Sequence, residues 1–385
     1  MKNFEFYNPV KIYFGKDEID KLSEILIPYK KIMFAYGQGS IKENGIYNQI
    51  TEQLKNYNYV EFAGIEPNPS YETLMKAVEI ARKEQVDFIL AVGGGSVIDG
   101  VKFIAAAVKY TNRDPWEILS KQIEITDAIK IGTVLTLPAT GSEMNGTSVI
   151  SKYATKEKLA FGSPLLMPVF SILDPQTIKS LPDIQIANGI VDAYVHVIEQ
   201  YLTYPSDAKV QDKFSESLLK ILIEIGQELL NDRNNYELNA NFMWTATMAL
   251  NGLIATGVPT DWSTHLIGHE ITALHGIDHA QSLAIVLPGV MQVMKEDKQD
   301  KIIQYAKEVF NIYNADNEET IKSAIVKTEE FFKSLGIKTK LSDYNIDETI
   351  TKIIPQRLKE RRYLKLGENK NITPDIVEKI LKIRL

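Results

Sequence analysis

Two patterns of hydrophobic and polar positions divide the chain. Up to about residue 180, short runs of β-branched and aromatic residues that end in Gly or Pro alternate with stretches of helical apolar spacing. The strand-like runs are KIMFAYG at 31–37, DFILAVGGG at 87–95 and IGTVLTLPA at 131–139. Between the first two, Tyr71–Glu84 carries the helical spacing. This alternation predicts βαβ units and a mostly parallel sheet.

After residue 180 the strand-like runs give way to helical spacing. Helices are predicted at 182–203, 207–230, 236–256, 296–311 and 317–335. Pro182, two residues after Ser180, favours a helix start at that point. A chain of 385 residues is also too long for one ordinary core. We therefore expect an α/β domain over residues 1–180 and an all-helical domain over residues 181–385.

Composition and charge narrow the class of partner. The formal net charge is −7, which provides no basic surface for nucleic acid or for an anionic membrane. No apolar run approaches the roughly 20 residues of a membrane helix, and the N-terminus does not resemble a signal peptide. We expect a cytoplasmic protein that acts on a small molecule. The chain has no cysteine, so nitrogen and oxygen atoms must hold any metal.

A glycine-rich turn follows one of the predicted strands. In AVGGGSVIDGVKFIAAAV (91–108), three glycines separate a strand from a helix and allow the backbone to approach a ligand closely. Ser96 and Asp99 are predicted at the N-cap and N3 positions of that helix. Its N-terminal N–H groups would suit a dinucleotide pyrophosphate. The spacing is neither G-x-G-x-x-G nor a P-loop, so a tight turn with a capping box remains the alternative.

Two further joints follow strands. In a dinucleotide-binding sheet, AYGQGSIK (35–42) would lie beside the adenosine ribose, where an acidic residue would repel a 2′-phosphate. The joint instead offers Gly37, Gly39, Ser40 and Lys42, which favours NADP(H), although Glu43 is close. The other joint, TLPATGSEMNGTS (136–148), has small hydroxyl residues that would line a cofactor cleft or form an ordinary polar loop.

Four of the five histidines lie in HLIGHEITALHGIDH (265–279), and the fifth, His196, is four residues after Asp192. The i, i+4 spacing places pairs of these side chains on one helical face. A metal site explains the clustering, and a structural cluster is the alternative. One straight helix over 265–279 would separate its ends by about 21 Å, but Gly276 provides a break that would fold His279 back.

With that break, an Asp/His₃ set would form from Asp192, His196, His265 and His279, and such a set suits Fe²⁺ or Zn²⁺. His269, one turn after His265, would lie near the metal and orient a substrate or relay a proton. For His275 the sequence leaves three positions open: beside the ligands, in a substrate pocket or at a helix terminus.

The chain resembles the iron-containing (group III) alcohol dehydrogenase family over essentially its whole length. The motifs that carry the resemblance are VKIYFG (10–15), GGGSVID (93–99), LPATGSEMN (137–145), FSILDP (170–175), GIVDAYVHVIEQY (189–201) and HLIGHEITALHGIDHAQSLAIVLP (265–288). They are most similar to the branch of butanol dehydrogenases and NADPH-dependent aldehyde reductases. The resemblance implies a Rossmann-like N-terminal domain, an all-α C-terminal domain as in the dehydroquinate synthase-like fold, and a homodimer.

The resemblance also implies roles for individual residues. The metal ligands fall on the same Asp/His₃ set. Pyrophosphate contacts fall on Gly94, Gly95 and Ser96, and nicotinamide-side contacts on Asp99, Thr140, Ser142 and Lys158. Gly37 stands where strictly NAD-dependent members tend to carry Asp, which again favours NADP(H). The candidate catalytic residues are Asp99 and His269, with His269 and water as the proton relay.

The expected reaction is hydride transfer between NAD(P)H and a short-chain aldehyde such as butanal, with the metal polarising the oxygen of the aldehyde or primary alcohol. Three alternatives are a dehydroquinate synthase-like lyase, a metal hydrolase and a non-catalytic metal-binding protein. The lyase would need a polar, basic pocket, whereas NGIVDAYVHVIEQY (188–201) and ALNGLIATGVP (249–259) are mostly apolar.

Overall fold

The computed structural model of the protein describes residues 1–111 and 113–385. Within these residues the chain forms two compact units. The α/β unit comprises Tyr7–Pro182 and Arg233–Thr247. The helical unit comprises Met1–Phe6, Asp183–Asp232 and Met248–Leu385. The chain crosses from the α/β unit to the helical unit between Pro182 and Asp183, close to the boundary expected near residue 180. Two short segments depart from that division: Met1–Phe6 packs with the helical unit, and Arg233–Thr247 packs with the α/β unit.

The described residues contain eight strands: β1 Lys11–Phe14, β2 Ile32–Tyr36, β3 Tyr59–Phe62, β4 Phe88–Gly94, β5 Lys130–Leu137, β6 Thr147–Lys152, β7 Glu157–Gly162 and β8 Phe170–Leu173. Six of them form the parallel sheet of the α/β unit, in the order β1-β8-β5-β4-β2-β3, and β6 and β7 form a separate antiparallel hairpin. Nearly every residue of β4 is buried, as expected for a parallel strand covered on both faces.

The strand order reverses between β2 and β4. The chain runs outward from β2 to β3, returns to form β4 on the other side of β2, and then continues outward through β5. In open α/β sheets a ligand binds beyond the carboxyl ends of the strands at such a reversal. The joints that follow β2 and β4 are the two glycine-rich segments singled out in the sequence.

The helices of the α/β unit before residue 180 are α1 Leu22–Ile25, α2 Ser40–Glu43, α3 Ile46–Leu54, α4 Tyr71–Lys83, α5 Gly95–Lys109 and α6 Glu117–Ser120. The later helices are α7 Asp183–Tyr201, α8 Lys209–Asn231, α9 Tyr236–Ala249, α10 Ser263–His275, α11 His279–Val293, α12 Gln299–Phe310, α13 Asn317–Ser334, α14 Ile350–Glu360 and α15 Pro374–Lys382. The helix predicted over 236–256 ends early, at Ala249, shortly before Gly252 with a φ of +92°.

The core of the helical unit is built around α7 and α11. Both helices are buried over most of their circumference, and α11 packs against α7, α10 and α15. A helix that is apolar on nearly every side belongs in an interior. Polar side chains on α7 are therefore buried with it and must find partners there. No helix in the described part of the chain is long and apolar enough to cross a membrane.

Candidate metal centre and dinucleotide site

One face of α7 carries three buried polar side chains. Asp192, His196 and Glu199 are separated by four and three residues, which aligns them along the helix. All three are less than 6% exposed. Burying a carboxylate is costly unless cations or hydrogen-bond donors meet it, so this face points to a site with positive partners.

A break between α10 and α11 brings the remaining histidines to that face. Gly276 stands at the C-cap of α10 with a φ of +70°, and its N–H donates to the carbonyl of Thr272 at 2.8 Å. Glycine adopts this left-handed conformation without the steric cost of a side chain. Helix α11 then begins at His279, and the rings of His265 and His279 lie 5.3 Å apart between centroids. The break predicted at Gly276 is thus present.

The four residues of the predicted ligand set meet in one cluster. Asp192, His265 and His279 each offer a ligand atom, and these atoms lie within 4.8 Å of one another. Asp192 Oδ1 is 3.9 Å from Nε2 of His196 and 3.9 Å from Nε2 of His279. The ring of His196 also stacks on that of His265, with centroids 4.7 Å apart.

The chemistry of this cluster fits a divalent metal ion. Asp192 Oδ1 is buried and accepts no hydrogen bond from the described residues. Its 3.9 Å separations from the two Nε2 atoms are too long for hydrogen bonds. They are close to the roughly 3.4 Å between two ligands that each lie about 2.1 Å from one tetrahedral ion. One carboxylate and three imidazoles suit Fe²⁺ or Zn²⁺.

Two residues of the site were missed in the sequence. An oxygen of the Glu199 carboxylate is hydrogen-bonded to the ring Nδ1 of His265. Burial, together with the nearby carboxylate of Asp261, raises the pKa of Glu199, while N–H donors from Thr264 and His265 lower it. Its spacing from Asp192 and His196 was a usable signal, because all three share one helical face.

The second missed residue, Trp262, packs its ring edge-on against His265 at 5.3 Å between centroids. Its φ is +68°, in the left-handed region that bulky residues rarely adopt. Such strained residues cluster at functional sites. No sequence feature signals this conformation for a tryptophan.

The other two histidines differ in position. His269 is buried, and its ring centroid is 4.9 Å from that of His279 and 6.3 Å from that of His265. It therefore borders the cluster, one helical turn after His265. His275 is the last residue of α10 and is exposed. The helix terminus, one of the three positions left open for it, is thus where His275 stands.

The glycine turn between β4 and α5 leaves no room for side chains. A Cβ added to Gly93 would lie 2.5 Å from Cγ2 of Val97, and one added to Gly94 would lie 2.9 Å from Cβ of Leu137. A Cβ on Gly95 would lie 2.5 Å from Cγ2 of Thr140. These approaches are far inside normal van der Waals contact, so a side chain at any of the three positions would force neighbouring atoms to move.

The predicted capping box is wrong. Helix α5 begins at Gly95, its N-cap is Gly94, and no side chain caps it. Ser96 is the second helical residue, and its hydroxyl accepts the backbone N–H of Asn68 at 3.3 Å. The helix starts directly after the strand because the glycines allow the backbone to turn without an intervening loop. Its first N–H groups therefore have no cap from α5 itself, which suits an anion-binding role.

Asp99 and Ser142 form an internal support for this turn. Asp99 Oδ1 accepts from the hydroxyl of Ser142 at 2.6 Å, and Oδ2 accepts from the N–H of Val149 at 2.8 Å. Burial raises the pKa of Asp99, although Lys102 and these donors oppose the rise. Both carboxylate oxygens are thus engaged within the α/β unit.

Lys102 completes that support from the next turn of α5. Its ammonium is fully buried and donates to Ser142 Oγ at 2.7 Å, Asn145 Oδ1 at 3.1 Å and the carbonyl of Thr147 at 2.7 Å. Burial lowers the pKa of Lys102 to about 8, against the opposing attraction of Asp99 and Glu143.

Replacing Lys102 with methionine should destabilise the fold by about 3–5 kcal/mol, since it strands a buried carboxylate. The folded state binds fewer protons at Lys102 than the unfolded chain between about pH 8 and the ordinary pKa of 10.5. Raising the pH through that window therefore favours the folded wild type. Urea unfolding of both proteins at pH 7.5, 9 and 10 should show the wild-type advantage growing with pH.

The matched control is Lys109→Met, at the exposed end of the same helix, which should change stability by less than about 0.5 kcal/mol. A wild-type advantage over Lys102→Met that shrinks between pH 7.5 and 10 would contradict the burial of this charge.

The remaining predicted cofactor residues line the same edge of the sheet. Thr140 packs against Gly95, and the ammonium of Lys158 donates to Asn68 Oδ1 at 2.7 Å. Asn68, with a φ of +54°, thus links Lys158 to Ser96. It was not singled out in the sequence, where only its position between two prolines marked a turn.

The joint after β2 carries the predicted 2′-phosphate residues. Gly39 has a φ of +129° and precedes α2, which begins at Ser40. Ser40 and Lys42 are exposed, and the Lys42 ammonium lies 4.9 Å from the ring centroid of Tyr47. Gly37 and Gly39 flank a glutamine, so no carboxylate stands between the end of β2 and α2. Glu43, the nearest acid along the chain, is exposed at the end of α2.

Two models of one protein family together match most of the chain. The model of the iron-containing alcohol dehydrogenase family matches residues 9–175, and the model of that family's C-terminal region matches residues 186–384. The chain belongs to the iron-containing alcohol dehydrogenase family. The family and the fold class predicted from the sequence are confirmed.

Relatives in this family cover the full chain. The chain is 50% identical over 382 residues to the NADPH-dependent aldehyde reductase YqhD of Escherichia coli, covering 99% of each chain. It is 43% identical over 391 residues to the probable NADH-dependent butanol dehydrogenase 1 of Bacillus subtilis, covering 100% of each. The predicted branch of butanol dehydrogenases and aldehyde reductases is therefore confirmed.

Solved structures of this iron-containing alcohol dehydrogenase family agree with the fold. The crystal structure of Escherichia coli YqhD superposes with a TM-score of 0.98 at 49% identity, covering 100% of this chain and 99% of that one. An NADH-dependent butanol dehydrogenase A from Thermotoga maritima gives a TM-score of 0.95 at 35% identity, with the same coverage. The activity of the chain is accordingly that of an alcohol dehydrogenase or aldehyde reductase.

Proposed function

We propose that the protein is a metal-dependent, NADP(H)-preferring reductase that interconverts short-chain aldehydes and primary alcohols. The observation that carries this proposal is the buried convergence of one carboxylate and three imidazoles on Asp192, His196, His265 and His279. In a chain of this family, 50% identical to an NADPH-dependent aldehyde reductase, such a cluster supports aldehyde reduction.

The four clustered residues would hold one divalent ion, Fe²⁺ or Zn²⁺. When bound, the metal supplies a Lewis acid for the oxygen of the aldehyde or alcohol. Asp192 contributes the negative charge that offsets part of the ion's charge in this buried position. His269, buried beside His279, would exchange the proton of the product hydroxyl with water. Trp262 covers His265 with an apolar ring, which favours a small uncharged substrate.

The α/β unit would bind the dinucleotide, which carries the hydride chemistry. The pyrophosphate would lie against Gly94, Gly95 and Ser96, where the N-terminus of the 15-residue helix α5 offers N–H groups and a positive dipole. Thr140 and Lys158 would contact the nicotinamide side. Asp99 and Ser142 would act indirectly, by holding the turn.

The NADP(H) preference rests on this chain's own residues, because the relatives named above differ in their coenzymes. Gly37, Gly39 and Ser40 leave the ribose position without a carboxylate, and Lys42 adds a cation. The two rings of Tyr36 and Tyr47 hold that ammonium near the joint, at 5.5 and 4.9 Å.

Lys42→Ala should raise the KM for NADPH about tenfold, the equivalent of one charge-assisted contact to the 2′-phosphate. The KM for NADH should stay within twofold, because that coenzyme has no phosphate at this position. Steady-state rates at 340 nm with butanal give both values. Lys76→Ala, an exposed lysine on α4, is the control and should change neither. Equal effects on NADPH and NADH would contradict the assignment of Lys42.

The reaction class is tested by incubating the metal-loaded protein with NADPH and butanal. Stoichiometric conversion of NADPH to NADP⁺, with butanol as product, is expected. A lyase of the dehydroquinate synthase type would use its coenzyme only transiently and leave the absorbance at 340 nm unchanged. A hydrolase or a non-catalytic metal-binding protein would not consume NADPH either.

A homodimer and a cytoplasmic location are also part of the proposal. The homodimer follows from the resemblance alone, and the location from the charge and the lack of cysteine. Sedimentation velocity and cell fractionation are the respective measurements, with a mass of twice 43.5 kDa as the expected result for the dimer.

A further inference from the structure

We propose that Glu199 is a positioning residue that fixes the tautomer and orientation of His265 and thereby sets the affinity of the site for its divalent ion. This inference rests on the proposed metal site. Glu199 is not one of the four proposed ligands, and the contacts of its carboxylate support the proposal.

The carboxylate of Glu199 reaches from α7 to the first turn of α10. Its Oε1 accepts the N–H of Thr264 at 2.6 Å, and its Oε2 accepts the N–H of His265 at 3.1 Å. The ring Nδ1 of His265 bonds to the same Oε2. The first N–H groups of a helix have no acceptor within that helix, and the N-cap residue Trp262 gives α10 no side-chain cap. Glu199 therefore satisfies the backbone and the ring of His265 together.

The ring contact decides which nitrogen of His265 faces the ion. A neutral imidazole has one N–H donor and one acceptor nitrogen. With a carboxylate at Nδ1, the proton stays on Nδ1, and Nε2 keeps its lone pair for the cation. A carboxylate at this position also raises the basicity of the imidazole and fixes the plane of its ring.

A buried ion network holds Glu199 and the start of α10 in register. The N–H of Asp261 donates to the carbonyl of Glu199 at 2.8 Å, and Asp261 Oδ1 accepts the N–H of Ser263 at 2.7 Å. Lys298 pairs with Asp261 at 2.6 Å and with Glu368 at 2.7 Å, and it donates to the carbonyl of Leu202 at 2.7 Å. This network ties the end of α7 to the segment that precedes His265, so the Glu199–His265 contact is held from both sides.

The direct test is Glu199→Gln, which keeps the size of the side chain but replaces one oxygen with an N–H₂ group. That group cannot accept the Nδ1 proton, and it favours the tautomer in which Nε2 carries the proton instead. The dissociation constant for Zn²⁺, measured by competition with a chromophoric chelator, should rise about 10–100-fold. The visible absorption of the Co²⁺-loaded variant should also shift in wavelength or intensity, because the ligand geometry changes.

Glu216→Gln is the matched control. Glu216 is also buried in the helical unit, and it accepts hydrogen bonds from Tyr201 at 2.9 Å and Gln304 at 2.7 Å, remote in sequence from the four ligands. Its replacement should lower the melting temperature in the way that loss of a buried carboxylate does, yet leave the Zn²⁺ dissociation constant within twofold. A purely structural role for Glu199 predicts the same outcome for both variants.

If Glu199→Gln does not fold, a measurement on the wild-type protein tests the proposal instead. In the Zn²⁺-loaded protein with ¹⁵N-labelled histidine, His265 should show a protonated Nδ1, assigned by the loss of its signal in His265→Ala. An Nε2-protonated His265 would overturn the proposal, and so would an unchanged Zn²⁺ dissociation constant in folded Glu199→Gln. Wild-type protein that binds no divalent metal would instead overturn the proposed metal site itself.

Discussion

Replacing His265 with alanine is expected to lower aldehyde reduction by at least about a thousandfold, the rate equivalent of roughly 4 kcal/mol of lost Lewis-acid stabilisation. His265 offers one of the converging ligand atoms, and Glu199 holds its ring in place. Its loss leaves fewer ligands for the ion and removes the ring contact of Glu199, whose carboxylate keeps the backbone N–H donors of residues 264 and 265. Metal content by mass spectrometry should fall with the activity, whereas NADPH binding, followed by coenzyme fluorescence, should persist.

The control for this experiment is His275→Ala. His275 lies on the same helix, is exposed at its C-terminal end and is not among the residues whose ligand atoms converge in the metal cluster. Its replacement should leave metal content and turnover within twofold of the wild type. Normal turnover by His265→Ala would show that the ligand set is wrongly assigned.

The second large effect is expected in the other unit. Gly95→Ala should weaken NADPH binding about 10–100-fold, because its Cβ would lie 2.5 Å from Cγ2 of Thr140 and force the start of α5 away from the turn. Overpacking of this kind costs about 1–3 kcal/mol, which corresponds to this range in a dissociation constant. Equilibrium dialysis or coenzyme fluorescence gives the value, and the metal content should stay unchanged.

Gly162→Ala is the matched control for the glycine turn. Gly162 ends β7, has an ordinary backbone conformation, and an added Cβ would come no closer than 3.4 Å to Gly146 O. Its replacement should leave NADPH affinity within twofold. If Gly95→Ala bound NADPH as tightly as the wild type, the close approach at this turn would have no part in coenzyme binding.

Much of the architecture was predictable because its signals are local. The buried runs ending in glycine or proline marked β2, β4 and β5, and the change of spacing after residue 180 marked the helical unit. The approach of His279 to His265 was predictable as well. Glycine ends a helix in the left-handed conformation at little cost, and Gly276 lies between the two histidines. These features need only periodicity and backbone chemistry.

The features that the sequence did not predict depend on contacts between segments that are distant along the chain. Glu199 and His265 are 66 positions apart, so the sequence showed Glu199 on the right face but not what it meets. The left-handed conformation of Trp262 is imposed by its surroundings. The capping box at Ser96 and Asp99 failed because packing of α5 against Asn68 and Ser142 engages both side chains elsewhere. Packing also assigns residues 233–247 to the α/β unit.

The most direct test of the account is reconstitution of metal-stripped protein with increasing Fe²⁺ or Zn²⁺, with bound metal and NADPH-linked butanal reduction measured on the same samples. The site at Asp192, His196, His265 and His279 predicts that stripped protein is inactive and still binds NADPH. With at least one of the two metals, activity should then rise in proportion to bound ion and saturate at one ion per chain. Full activity without metal, or none with either metal at confirmed occupancy, would contradict it.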